Sequence, residues 1–153
     1  MNSAGRECVA LVSCAKKKRE HASPAGDLYT SPLFQKMALF AKERCGRWYI
    51  LSAKHGLLAP ETIIAPYDVT LNQMSRVAQR EWASMVHRQM VQSGLAASGR
   101  RLLWLAGRAY MRDLVPLLPN CEHVDPLAGL GLGKRLSWLN AQLAPRSAQP
   151  PGR

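Results

Sequence analysis

Short apolar runs punctuate the chain, and each breaks off into a polar or glycine-bearing stretch. Residues 9–12 (Val-Ala-Leu-Val), 48–51 (Trp-Tyr-Ile-Leu) and 102–106 (Leu-Leu-Trp-Leu-Ala) have the length and composition of buried strands. Residues 122–125 read as a short edge strand. Helical spacing fills the intervals. Ser31 as N-cap and Pro32 at the first helical position open a helix carried by Leu33, Met37, Phe40, Ala41 and Arg44 and stopped at Gly46. The longest helical segment, 74–95, puts Met74, Ala78, Trp82, Met85 and Gln89 on one stripe, with Val77 and Val86 beside it, as core. A third helix runs from Gly107-Arg108-Ala109-Tyr110 through Leu117, and a fourth ends near Leu143. Residues 20–30 and 52–72 follow neither period and are expected to be loops.

Strands alternating with helices predict an α/β protein: three layers, with a mainly parallel central sheet of about four strands flanked by helices. One domain over 7–143 and a disordered basic tail over 144–153 are expected. Right-handed crossovers would bring loops 13–18, 52–72 and 107–110 to one carboxyl edge, where open parallel sheets bind ligands.

Charge sharpens this. Lys and Arg outnumber Asp and Glu by 21 to 10, a net +11. Such an excess predicts attraction to polyanions, nucleic acid first, with a generally basic proteome as the plain alternative. No apolar run is long enough to span a membrane and no signal-type segment precedes the first strand, so a cytoplasmic protein without a membrane partner is expected; a monomer is expected as well. Cys8, Cys14, Cys45 and Cys121 have no C-x-x-C spacing; zinc and redox motifs are unsupported, and reduced thiols are expected, above all at Cys8 and Cys45. Cys14, just past a strand, is a candidate nucleophile without an evident base.

The first two strands end alike. Ser13-Cys14-Ala15-Lys16 echoes Leu51-Ser52-Ala53-Lys54, which would set two lysines at one sheet edge. Lys16, Lys17 and Lys54 suit phosphates there, while a solvated charge run is the usual fate of such a segment. Asp68, in a loop otherwise poor in charge, would activate water or stabilise a sugar cation if partly buried near Lys54 or His55; a capping aspartate is the alternative. His55 is a general acid, a phosphate ligand or an ordinary loop histidine. Tyr29, Tyr67 and Tyr110 are candidates to stack on a base or to pack in the core. Gly107 allows close backbone approach, and Gly131 to Arg135 form a Gly-spaced helix opening suited to phosphate or to a tight turn. It is neither a Walker A loop nor G-x-G-x-x-G. No D-x-D, H-E-x-x-H or H-x-E…C-x-x-C set is present, so no metal or other cofactor is expected.

Ser-Cys-Ala-Lys-Lys-Lys (13–18), Leu-Tyr-Thr-Ser-Pro-Leu-Phe (28–34), Leu-Ser-Ala-Lys-His-Gly-Leu (51–57), Pro-Tyr-Asp-Val-Thr-Leu (66–71), Leu-Ala-Gly-Arg-Ala-Tyr (105–110) and Pro-Leu-Ala-Gly-Leu-Gly-Leu-Gly (126–133) together resemble a family of small bacterial and phage proteins. That family is distantly similar to the uracil-DNA-glycosylase-like fold, found also in archaeosine synthase and peroxide-stress DNA-binding proteins, and to phage-defence glycosylases acting on glucosylated hydroxymethylcytosine. The glycosylase motifs Gly-Gln-Asp-Pro-Tyr and His-Pro-Ser are absent. The resemblance implies a cofactor-free DNA glycosylase. Asp68, His55 and Lys54 would be catalytic; Ser13, Lys16, Lys17, Tyr29, Ser52, Tyr67, Gly107, Arg108, Tyr110, Gly131 and Lys134 would bind substrate. A non-catalytic nucleic-acid-binding protein and a nucleoside- or nucleotide-processing transferase are the alternatives.

Overall fold

The structure, a computed structural model, describes residues 8–144. Cys8–Ser13 (β1), Arg47–Ser52 (β3), Arg101–Leu105 (β6) and Glu122–Val124 (β7) form a parallel ladder, and Gly56–Leu58 (β4) adds an antiparallel edge. The order is β4-β3-β1-β6-β7, so the sheet has five strands where about four are expected. The additional strand is the return arm of a hairpin at the end of β3. It lies inside the stretch expected to be a loop, because three residues are too few to carry a readable period.

Alternate residues of β1 face opposite cores, as the pleat requires. Ala10 and Val12 pack with Pro32–Cys45 (α2) and with Leu139 of Leu132–Leu143 (α5). Val9 and Leu11 pack with Trp82, Val86 and Met90 of Arg76–Gln92 (α3) and with Leu114. The expected arrangement of helices on both faces of a mainly parallel sheet is what the chain adopts.

Ser31 caps α2 as expected, accepting the Phe34 N–H at 3.1 Å, and Gly46 ends it at φ 76°. Three expectations are corrected. Of the expected α3 stripe, Trp82 and Val86 are buried and Met74 and Met85 pack against the same core, but Val77 is exposed and Gln79, Ala83 and Met90 complete the buried face. Residues 20–30 hold a two-residue strand, Ser23–Pro24 (β2), and a single turn, Ala25–Leu28 (α1); β2 pairs with Ile63–Ile64 (β5). Elements so short are fixed by tertiary pairing and leave no period in the sequence. The third helix is one turn, Arg108–Met111 (α4), followed by a 3₁₀ turn at Val115–Leu117, since Pro116 interrupts the backbone donors.

Cys8 and Cys45, expected as free thiols, form a disulfide. The last turn of α2 ends beside the start of β1, bringing their Cα atoms to 5.1 Å. Cys14 and Cys121 are free thiols. No described helix is long and apolar enough to cross a membrane. The expected tail, apart from Ala144, and residue 7 lie outside the described residues.

Candidate active site

The parallel strands bring the expected loops to one edge. Ser13 pairs with Leu51, and the Cys14 N–H continues the ladder to the Leu51 carbonyl at 3.0 Å. This is the register of the sequence echo, with Cys14 beside Ser52 and Lys16 and Lys54 both exposed beyond the strand ends. Ser13 itself is buried in the sheet.

Ser52, fully buried, organises the edge. Its Oγ accepts the N–H groups of Lys54 (3.2 Å) and His55 (3.0 Å), tying the turn between β3 and β4. The same hydroxyl donates to the Tyr67 Oη at 2.8 Å, which lies 2.5 Å from the Tyr29 Oη. Helix α3 clamps the hairpin from behind. Trp82 Nε1 donates to the Ser52 carbonyl at 2.9 Å; Gln89 accepts from Leu57 N–H at 2.8 Å and donates to the His55 carbonyl at 3.1 Å.

Gly56 closes the turn at φ 75°, and a Cβ there would run into Gln89 and Met85. Positive φ alone costs a residue with Cβ about 1–2 kcal/mol. Gly56→Ala is expected to lower stability by about 2–3 kcal/mol once the Gln89 hydrogen bonds are displaced. Urea unfolding of the variant and of a Gly94→Ala control, whose Cβ would meet nothing within 4 Å, measures the packing part separately.

The other wall is the loop after Tyr67, ending in a 3₁₀ turn at Leu71–Gln73. Gln79 donates to the Leu71 carbonyl at 2.9 Å and accepts from Arg76 (2.8 Å) and Arg112 (2.6 Å). Arg76 also makes two hydrogen bonds to Asp113, at 2.8 and 3.0 Å. Between this wall and residues 14–16 lies a cleft of about 310 Å³, with Asn72, Gln73 and Tyr110 among its lining residues. Cys14 Sγ, also on the cleft, is 3.2 Å from the Tyr110 Oη and accepts the Ala53 N–H at 3.4 Å.

Lys18, unremarked among the four successive cations of the sequence, is the cation that enters the cluster. Its ammonium lies 4.4 Å from the Tyr67 ring centroid and 5.7 Å from that of Tyr29, and it donates to the Lys16 carbonyl at 3.0 Å. The backbone bridge between Lys18 and Tyr29 holds it there. Burial lowers its pKa, against the opposing charges of Cys14 and Asp68. No local signal marks it: a backbone pairing with Tyr29, distant in sequence, sets Lys18 apart from its exposed neighbours Lys16 and Lys17.

The remaining candidates divide clearly. Asp68 is exposed, not partly buried as its expected chemistry requires, because its loop lies on the rim; its charge nevertheless reaches Lys18. His55 is half-buried with its ring edge-on to Tyr67 at 5.5 Å; burial and then Lys54 lower its pKa, favouring neutral imidazole at pH 7. Tyr29 and Tyr110 are buried at 1% and 8% exposure, whereas Tyr67 is half-buried, with the Lys18 ammonium over its ring. Burial raises all three phenol pKa values, that of Tyr29 to about 12, and keeps the network protonated.

Gly107 caps α4, with Arg108 exposed on its first turn. A Cβ on Gly107 would meet only Tyr110, at 3.9 Å. Gly131 and Lys134 stand exposed at the start of α5. Arg135 fastens that helix to the edge, donating to the carbonyls of Leu130 (2.8 Å) and Ala106 (3.3 Å). Asp125, past the end of β7, is a residue that sequence reasoning misses; its buried Oδ1 has no hydrogen-bond partner among the described residues, and burial raises its pKa. No group of three or more His, Cys, Asp or Glu suited to a metal occurs among the described residues.

Every residue of this edge from Ser13 to Lys134 falls inside the part of the chain shared with other proteins. The uncharacterized protein YfjM of Bacillus subtilis (strain 168) is 32% identical over 139 residues, covering 85% of this chain and 91% of the relative. Residues 9–141 match a family of unknown function, DUF6884, from the first strand into the last helix, and the chain belongs to that family.

Proposed function

We propose that the protein cleaves the N-glycosidic bond of a modified base in DNA and leaves an abasic site. The observation that carries this reading is the cluster at the sheet edge: a half-buried Lys18 ammonium 4.4 Å from the Tyr67 ring centroid, with the exposed Asp68 carboxylate next to Tyr67 on the rim. A target nucleotide flipped from the duplex would enter the cleft beside residues 14–16, and the half-buried Tyr67 ring, outside that lining, would be its stacking partner. Asp68 would orient water toward the anomeric carbon and balance the positive charge that develops on the sugar. His55, neutral at pH 7, would hydrogen-bond the departing base, and Lys54 beside it would favour its negative charge. Ser52, Tyr29 and Tyr110 would hold the walls, with Ser13 in the supporting sheet.

The net charge of +11 supports DNA as the partner. Lys16, Lys54, Arg108 and Lys134 are exposed and would contact flanking phosphates; Lys17 would add to the same field, and Gly107 and Gly131 would leave space for the backbone. Four such contacts predict a slope of log affinity against log salt of about −3 to −4, lowered in magnitude by about 1 in Lys54→Ala. Fluorescence anisotropy across a salt series measures both values; a flat response would remove the phosphate roles.

We read the fold as uracil-DNA-glycosylase-like, on the strength of its parallel strands and the polar residues past their carboxyl ends. Glucosylated hydroxymethylcytosine is the substrate that the resemblance favours, which gives a cytoplasmic, monomeric enzyme a role against phage. Purified protein should release bases from phage DNA carrying that modification and leave unmodified DNA intact. Released base and alkali-labile sites are the readouts. Salt-sensitive binding to both DNAs without base release would instead favour a non-catalytic DNA-binding protein. Turnover of free nucleosides or nucleotides alone would favour a transferase.

A further inference from the structure

Lys18 has a chemistry that phosphate binding does not use. It is half-buried, has no salt-bridge partner among the described residues, and rests on an aromatic ring rather than in a phosphate fork. An amine in that setting is suited to attack a carbonyl carbon. The product of base excision supplies one, because an abasic deoxyribose opens to an aldehyde at C1′. We infer that Lys18 forms an imine with this aldehyde, so that the protein also cleaves the DNA strand at the abasic site. The inference deepens the base-excision reading and rests on it for the source of the aldehyde.

In the first step the Lys18 nitrogen lone pair forms a bond to C1′, and the resulting carbinolamine expels water to give a protonated imine. The imine makes the C2′ proton acidic, and the Asp68 carboxylate takes it. Electrons from that C–H bond form the C2′–C3′ double bond as the C3′–O bond breaks. The 3′ phosphate leaves with its bonding pair. Water then hydrolyses the imine, releasing an unsaturated aldehyde and restoring the Lys18 amine. No oxidant, reductant or metal is needed for this balance. Burial lowers the Lys18 pKa, which increases the share of free amine available for the first step.

The test uses the full chain and an oligonucleotide with a preformed abasic site, so that it does not depend on base excision. Borohydride added during incubation reduces the imine to a stable amine and should yield a covalent protein–DNA adduct. Peptide mass spectrometry should place the adduct on Lys18. Lys18→Arg and Lys18→Gln should lose it, whereas Lys42→Arg, at an exposed lysine of α2, should retain it. Circular dichroism identifies the Lys18 variants that remain folded, and the mapped peptide of the unaltered protein decides the assignment if both unfold. An adduct on another lysine, or no adduct, overturns the inference. If modified DNA still loses its base but yields no adduct, only the lyase step fails. An adduct on preformed sites without base release from modified DNA retains the lyase step and rejects the excision reading.

Discussion

Asp68→Asn should reduce base release by about 10²- to 10⁴-fold while DNA affinity stays within about twofold. Asparagine keeps the size and polarity of the side chain but removes its charge and its capacity to take a proton. Asp68 is exposed, so the variant should fold with stability within about 0.5 kcal/mol of the parent. The lost rate would therefore report chemistry. Single-turnover release from modified DNA measures the rate, and anisotropy on the same DNA measures binding. Undiminished release would remove Asp68 from the reaction.

The same variant has a second consequence. Asp68 and Cys14 favour the charged form of Lys18, while burial favours the free amine. Loss of the Asp68 charge should shift the rise of borohydride trapping to lower pH, because less hydroxide is then needed to free the amine. Trapping on a preformed abasic site should thus survive in Asp68→Asn even as base release is lost. An unchanged pH profile would show that Asp68 does not act on Lys18.

The sequence disclosed what strong local rules control. Three apolar runs became parallel strands, Ser31 and Gly46 bounded α2, and the echo of Ser13-Cys14-Ala15-Lys16 with the end of the second strand became a register. It hid what depends on tertiary pairing. β2 and β5 have two residues each and exist only through each other; β4 is held by the α3 clamp. The tyrosines could be recognised as site candidates, but the buried faces of Tyr29 and Tyr110 could not, since an aromatic residue in a loop has no period to reveal its environment. Asp68 had the opposite outcome: found by its isolation in the sequence, it proved to lie on the rim. Lys18 was hidden by its neighbours, because a run of cations gives no sign of which one folds inward. The Cys8–Cys45 pair escaped notice because contact between α2 and β1 sets its distance, not sequence spacing.

Ser52→Ala should disable the site through its architecture. The missing Oγ leaves the Lys54 and His55 N–H groups without their acceptor and Tyr67 without a donor. A buried polar group left unpaired costs about 1–3 kcal/mol, and exposure of Lys54 lets water relieve part of that, so a net loss of about 2–3 kcal/mol is expected. Base release should fall further than stability alone predicts, because His55, Lys54 and Tyr67 lose their common anchor. Tyr67→Phe separates the two effects: it breaks the hydroxyl contacts to Ser52 and Tyr29 but leaves the Ser52 turn and the ring. Amide hydrogen exchange at Lys54 and His55 should therefore quicken in Ser52→Ala and remain near the parent rate in Tyr67→Phe. Equal protection in all three proteins would mean that the hairpin is held by the Trp82 and Gln89 clamp alone, and that the Ser52 hydroxyl serves only to fix Tyr67.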